Sequence, residues 1–65
     1  MAWSYSGNPA SSPKDQVRFL IGDTLADDPL LSDEEVEFAL ASEGNTYLAA
    51  ALCCEAIAAK FARQA

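Results

Sequence analysis

The spacing of apolar residues predicts a first helix that begins after Ser12, a residue type that commonly caps helices. Gly22 supplies a stop, so the helix is expected over residues 13–21. Arg18 follows Asp15 by three residues, which we interpret as a weak surface pair. Three apolar residues recur at helical steps on the face expected to be buried: Val17, Leu20 and Ile21.

A second helix has the clearest local signal in the chain, in the segment LLSDEEVEFALASEG. Ser32 and Glu35 have the spacing of a capping box, in which each side chain accepts a hydrogen bond from the other residue's backbone N–H. Gly44 ends the pattern, which predicts a helix over 33–43. Its apolar stripe consists of Val36, Ala39 and Leu40.

The third predicted helix runs over 46–65 and is apolar on more than one side, which is typical of a helix buried on more than one side. Because the chain ends at Ala65 with no capping glycine, asparagine or proline, we interpret this helix as unfinished. The predicted seam consists of Tyr47, Ala50, Cys54, Ile57 and Phe61. A second apolar row consists of Leu48, Leu52 and Ala59.

Residues 1–11 lack helical or alternating periodicity and are rich in serine, glycine, asparagine and proline. They predict an extended N-terminal arm on a helical domain over 12–65, and together the elements predict an all-α bundle of three helices. Two interpretations of the arm stay open. It is either a disordered terminus or a segment that Trp3 and Tyr5 anchor on a neighbouring surface.

Composition removes several classes of function. The 65 residues carry a formal net charge of -6, which repels phosphate backbones, so we expect no direct sequence-specific binding of nucleic acid. There is no histidine, which excludes Ser-His-Asp and Cys-His catalysis and the common zinc sites. We therefore expect no enzymatic activity, no catalytic residue, no metal and no cofactor.

The two cysteines, Cys53 and Cys54, are adjacent and point about 100° apart on a helix, so neither a strain-free disulfide nor a CxxC clip is available. This usage favours a reducing compartment. The N-terminal segment has neither the basic region nor the apolar run of a signal peptide, and there is no long apolar stretch. We expect a soluble product without membrane contact.

The connection DTLADDPLLSDE invites a calcium hypothesis. Asp23, Asp27 and Glu34 fall at positions one, five and twelve of an EF-hand loop, but Leu25 and Asp28 occupy positions that need an oxygen ligand and a glycine. A degenerate calcium-binding helix-loop-helix is one alternative function, and a generic helical protein-interaction module is another. The structural interpretation is a turn followed by a solvated acidic face.

The segments VRFLIGDT, LLSDEEVEFAL and GNTYLAAALCCEAIAAKFARQA in combination resemble the N-terminal half of head–tail connector proteins of tailed bacteriophages, also called adaptor or head-completion proteins. The resemblance spans about residues 13–65 and, more loosely, the YSGNP of the arm. It implies an all-helical subunit of the virion neck, assembled in the bacterial cytoplasm as a ring under the portal protein, where it also meets a tail or stopper protein. Relatives usually continue past the KFAR helix, so this chain is a fragment or part of a connector.

Ring formation by identical subunits needs two different complementary patches on each subunit. Apolar residues that do not fit the helical core pattern are the candidates. We place Phe19 and Phe38 on one patch and the outer row of the third helix on the other. The candidate subunit and partner interface comprises Trp3, Tyr5, Phe19, Phe38, Leu48, Leu52 and Phe61. The helix-capping residues are Ser12, Ser32, Glu35 and Gly44.

Overall fold

The fold of the chain, described here for residues 2–64 in a computed structural model, is a bundle of three helices, and this part contains no strand. Helix α1 spans Pro13–Ile21, α2 spans Asp33–Glu43 and α3 spans Thr46–Gln64. Each helix packs against both of the others. The prediction of an all-α three-helix bundle is confirmed. Residue 65, the predicted end of the third helix, lies outside the described residues, as does Met1 of the arm.

Short polar signals start and stop the helices. The Ser12 hydroxyl accepts from the Asp15 N–H at 3.1 Å. Both halves of the capping box are present in α2, since the Ser32 N–H donates to Glu35 Oε1 at 2.8 Å and the Glu35 N–H donates to Ser32 Oγ at 3.1 Å. Gly44 ends α2 in the left-handed conformation, with φ of 68°. Such a φ is costly for residues with a Cβ, so glycine is the natural residue there.

The core is small and rich in alanine. Its buried apolar residues are Val17, Leu31, Val36, Ala39, Ala49, Ala50 and Cys53. Ile21, Leu40, Leu52 and Ile57 are partly buried against it. Small side chains let the three backbones approach closely, but each one hides little apolar area. A core of this size leaves larger apolar side chains outside it.

The seam predicted for α3 is correct at Ala50, which is buried, and at Ile57, which packs against the core, but wrong at its other three positions. Tyr47, Cys54 and Phe61 are exposed, whereas Ala49 and Cys53 are buried. The helix packs through Ala49, Ala50 and Cys53, and the bulky Tyr47 and Phe61 are turned outward. Leu20, expected on the buried face of α1, is 39% exposed.

The capping box gives a direct test of helix initiation. We expect Ser32→Ala to lower the free energy of unfolding by about 1 kcal/mol, because it leaves the Glu35 N–H without its side-chain acceptor. Urea unfolding followed by circular dichroism measures the change. Ser42→Ala, an exposed serine inside the same helix, is the matched control and should change stability by less than about 0.5 kcal/mol. Equal losses in both variants would contradict a capping role.

Candidate functional site

Arg18 is fully buried, and its guanidinium donates four hydrogen bonds. Its Nε donates to the Ser4 carbonyl at 2.8 Å and its Nη1 to the Leu31 carbonyl at 3.0 Å. Nη1 also pairs with Asp23 and Nη2 with Asp33, the latter at 2.8 Å. The interpretation of Arg18 as a surface partner of Asp15 is therefore wrong. Its guanidinium joins the arm, the α1–α2 connection and the start of α2.

Asp23 is the buried counter-ion of Arg18, and all of its acceptor capacity is used. Oδ1 accepts from Trp3 Nε1 and from the Leu30 N–H, each at 3.0 Å. Oδ2 accepts from the Leu31 N–H at 3.0 Å and from Arg18 Nη1. A carboxylate has about four acceptor sites, so none is left for a metal ion. This residue, position one of the supposed calcium loop, instead ties the connection to α1.

The other acids of that connection do not assemble around Asp23. Glu34 is exposed, and within residues 2–64 no three aspartate, glutamate or cysteine side chains form a group able to hold a metal ion. Leu25 in the same connection is also exposed. The geometry of the described residues gives the calcium hypothesis no support.

Asp33, the first residue of α2, holds the arm in place. Its carboxylate accepts from the Ser4 N–H at 3.0 Å and from Ser4 Oγ at 2.9 Å, and its own N–H donates to the Ala2 carbonyl at 2.7 Å. Lys14 Nζ lies 3.3 Å from Asp33 Oδ1. Burial alone would raise the pKa of Asp33, but hydrogen bonds from Arg18, Ser4 and Lys14 outweigh it and lower the pKa to about 2.

Trp3 packs on its own chain. Its ring lies over the Arg18 guanidinium, with 4.9 Å between Cζ and the ring centroid, and its N–H donates to Asp23. Trp3 therefore anchors the arm on a surface of its own chain, because the ring finds both a cation and an acceptor there. Tyr5 is half-buried. The arm is an ordered strap across α1 and the start of α2, and this decides between the two interpretations left open.

A second contact secures the same strap. The Ser6 hydroxyl donates to Asp15 Oδ2 at 2.8 Å, and the Ser6 N–H lies 3.4 Å from Oδ1. Burial raises the pKa of Asp15, but these bonds and the Ser12 hydroxyl outweigh it and leave the pKa below its ordinary value. Among the described residues, every buried side-chain nitrogen and oxygen has a hydrogen-bond partner. The polar cluster is thus satisfied and serves the fold.

The outside of the molecule carries exposed apolar surfaces, and the first of these lies between α2 and α3. A groove between α2 and α3 encloses about 320 Å³. Phe38, which is 69% exposed, stands on its α2 side, and Leu52 and Ala56 form its α3 side. Glu34 and Glu35 border it. We call this the α2–α3 groove; its lining is Leu31, Glu34, Glu35, Phe38, Ala39, Leu52, Cys53 and Ala56.

A second apolar surface lies where the arm meets α1 and the start of α3. Phe19 is 59% exposed there, beside Leu20 and Tyr47. We call it the arm–α1 surface; its lining is Pro9, Ala10, Ser11, Ser12, Pro13, Gln16, Phe19, Leu20 and Tyr47. Tyr47 and Ala56 are nine residues apart on α3, which turns them about 180° from each other. The two surfaces therefore flank the bundle on different sides.

The predicted interface residues do not form one site. Phe19 and Phe38, placed together by the sequence interpretation, line different surfaces because α1 and α2 pack on different sides of α3. Leu48 and Phe61 are exposed on α3, and Leu52 is half-buried in the α2–α3 groove. Tyr47 was assigned to the core seam, yet it is 65% exposed and belongs to the arm–α1 surface.

The cysteines differ in their surroundings. Cys53 is buried and Cys54 is exposed, and both are free. Burial raises the pKa of the Cys53 thiol, which opposes thiolate formation. Cys53 therefore behaves as a small core residue rather than as a nucleophile.

Comparisons with known proteins add no relative, since no family model, no curated protein and no solved structure matches the chain. Among the described residues, no helix combines the length and apolar character needed to cross a membrane.

Replacing Arg18 tests the buried cluster. We expect Arg18→Met to destabilise the chain by about 3–5 kcal/mol, because Asp23 would stay buried without its cation. That loss is comparable to the whole stability of a chain of this size, so circular dichroism should show a largely unfolded protein. The control is Arg63→Met, the same change at an exposed position. If Arg18→Met were as stable as the original chain, the buried cluster would not contribute to stability as described.

The lowered pKa of Asp33 predicts that the chain loses stability in acid. Its pKa of about 2 in the folded chain lies below its ordinary value of 3.8, so the unfolded chain takes up the proton first as the pH falls. The ionised Asp33 carboxylate adds about 2 kcal/mol to the free energy of unfolding above about pH 4. This contribution is lost as the pH falls from about 4 to about 2. Urea unfolding at several pH values should show this slope.

Asp33→Asn should flatten that slope and lower stability near neutral pH. Asp28→Asn, an exposed aspartate in the α1–α2 connection, is the matched control and should keep the slope. An unchanged acid dependence in Asp33→Asn would show that the carboxylate is not held as described.

Proposed function

We propose that the chain is a structural subunit of the neck of tailed bacteriophage virions. In this role it is a head–tail connector that self-associates into a ring beneath the portal protein and joins the head to a tail or stopper protein. It has no enzymatic activity and binds no nucleic acid sequence. The resemblance of residues 13–65 to such proteins supports the proposal.

One structural observation carries the proposal furthest: two separate apolar surfaces on different sides of a 65-residue chain. Monomeric proteins seldom leave large apolar patches uncovered, and here Phe19 and Phe38 are each more than half exposed. A head-to-tail contact between identical subunits joins one patch to a different patch on the next copy. The arm–α1 surface of one subunit and the α2–α3 groove of the next have that relation.

The ordered strap also suits this role. Ser6 is held by Asp15, and the Ser11 N–H donates to the Asn8 carbonyl, so the part of the arm that lines the arm–α1 surface is ordered before any partner arrives. A surface that is already ordered loses less conformational entropy when it binds.

Electron microscopy tests the proposal. The purified chain mixed with the portal protein of the same genome should give rings of the chain seated on the portal. Phe19→Ala should reduce ring formation, since it removes a large apolar side chain from one of the two surfaces. Leu25→Ala, an equally exposed residue outside both surfaces, is the matched control.

The outcomes separate the functional alternatives. Free chain beside an empty, intact portal would reject the connector role and leave a general helical interaction module. Rings that form equally well with Phe19→Ala would show that the arm–α1 surface is not a subunit contact.

A further inference from the structure

The face around the α2–α3 groove differs in charge from the rest of the molecule. The chain as a whole carries -6, so two copies repel each other over most of their surfaces. Two of the four basic residues, Lys14 and Arg18, are bound to aspartates beside the arm. The other two, Lys60 and Arg63, lie on the last turns of α3, and Lys60 pairs with Glu35 at the start of α2. Acidic and basic side chains therefore both occur at this end of the bundle.

The geometry of α3 puts these charges beside the groove. Lys60 Nζ donates to Glu35 Oε2 at 3.2 Å, which fixes the start of α2 at the level of the end of α3. Arg63 follows Ala56 by seven residues, so it lies about 20° from Ala56 around the helix and continues the α3 side of the groove. Glu34 borders the groove from α2. The groove thus has an acidic side and a basic side at the same end.

This arrangement is complementary to itself. A two-fold axis along the groove would set α2 of one copy against α3 of a second copy at the same height. Glu34 would then face Arg63 of the second copy, and Phe38 would face the small Ala56 of the second copy. Each contact occurs twice in such a symmetric pair.

We propose that two copies of the free chain pair through the α2–α3 groove, with Phe38 filling the groove of the second copy and Glu34 meeting its Arg63. Charge complementarity favours a second copy as the occupant of the groove. The two-fold operation sets the acidic α2 side of one copy against the basic α3 side of the other. The pairing goes beyond the proposed function and does not depend on it. In a connector ring the same groove faces a neighbouring subunit, so pairing and ring formation compete for one surface.

Reciprocal charge reversal tests the pairing. Sedimentation equilibrium of the purified chain, without any portal, measures the dimer dissociation constant. Glu34→Arg alone and Arg63→Glu alone should each weaken pairing by at least about tenfold, because each change sets like charges face to face twice per dimer. The double variant should recover to within about threefold of the original chain, since it restores opposite charges.

Matched variants separate the groove from other surfaces. Glu37→Arg makes the same charge change one turn along α2, outside the groove, and should leave pairing nearly unchanged. Phe38→Ala should weaken pairing, whereas Phe19→Ala, an equally exposed phenylalanine on the arm–α1 surface, should not. Circular dichroism of each variant confirms that the fold is retained.

Three results would overturn the inference: a chain that stays monomeric near millimolar concentration, a double variant that fails to recover, or a dimer that Phe19→Ala disrupts and Phe38→Ala does not. None of these bears on whether the chain forms a ring on the portal. A failed ring with intact pairing would reject the proposed function alone.

Discussion

The fully buried guanidinium of Arg18 is the constraint on which the other features depend. It binds the Ser4 carbonyl, the Leu31 carbonyl and two aspartates, so one side chain joins the arm, α1 and the connection to α2. A buried ion pair is a poor source of net stability compared with apolar packing. Its effect here is one of geometry: a charged group out of water allows few arrangements, and this one orders a segment with no secondary structure of its own.

The buried polar cluster around Arg18 also affects which residues lie on the surface. A polar cluster occupies interior volume that a larger domain would fill with apolar residues, and alanine supplies much of the remaining core. The bulky apolar residues of α1, α2 and α3 then lie outside, as Phe19, Phe38 and Phe61 do. The buried polar cluster that orders the arm therefore also leaves large apolar side chains on the surface.

Local signals were sufficient for the helices but not for the cluster. The capping box of Ser32 and Glu35 and the left-handed Gly44 act within a few residues, so spacing alone predicts them. Arg18 pairs with partners five and fifteen residues later in the chain, and Trp3, fifteen residues earlier, lies over it. Sequence spacing does not show which distant residues will meet Arg18, and an arginine is usually exposed. The same limit explains the α3 seam, because heptad spacing identifies apolar rows without showing which row meets α1 and α2.

The distribution of charge links these points to assembly. Ten acids and four bases would give a uniformly repulsive surface if they were scattered. Instead, Asp23 and Asp33 neutralise Arg18 beside the strap, and Lys60 pairs with Glu35 at the start of α2. Basic side chains on α3 thus offset part of the repulsion beside the α2–α3 groove, where Phe38 is 69% exposed. Apolar area supplies the attraction between copies, and the charges determine the face on which that attraction can act.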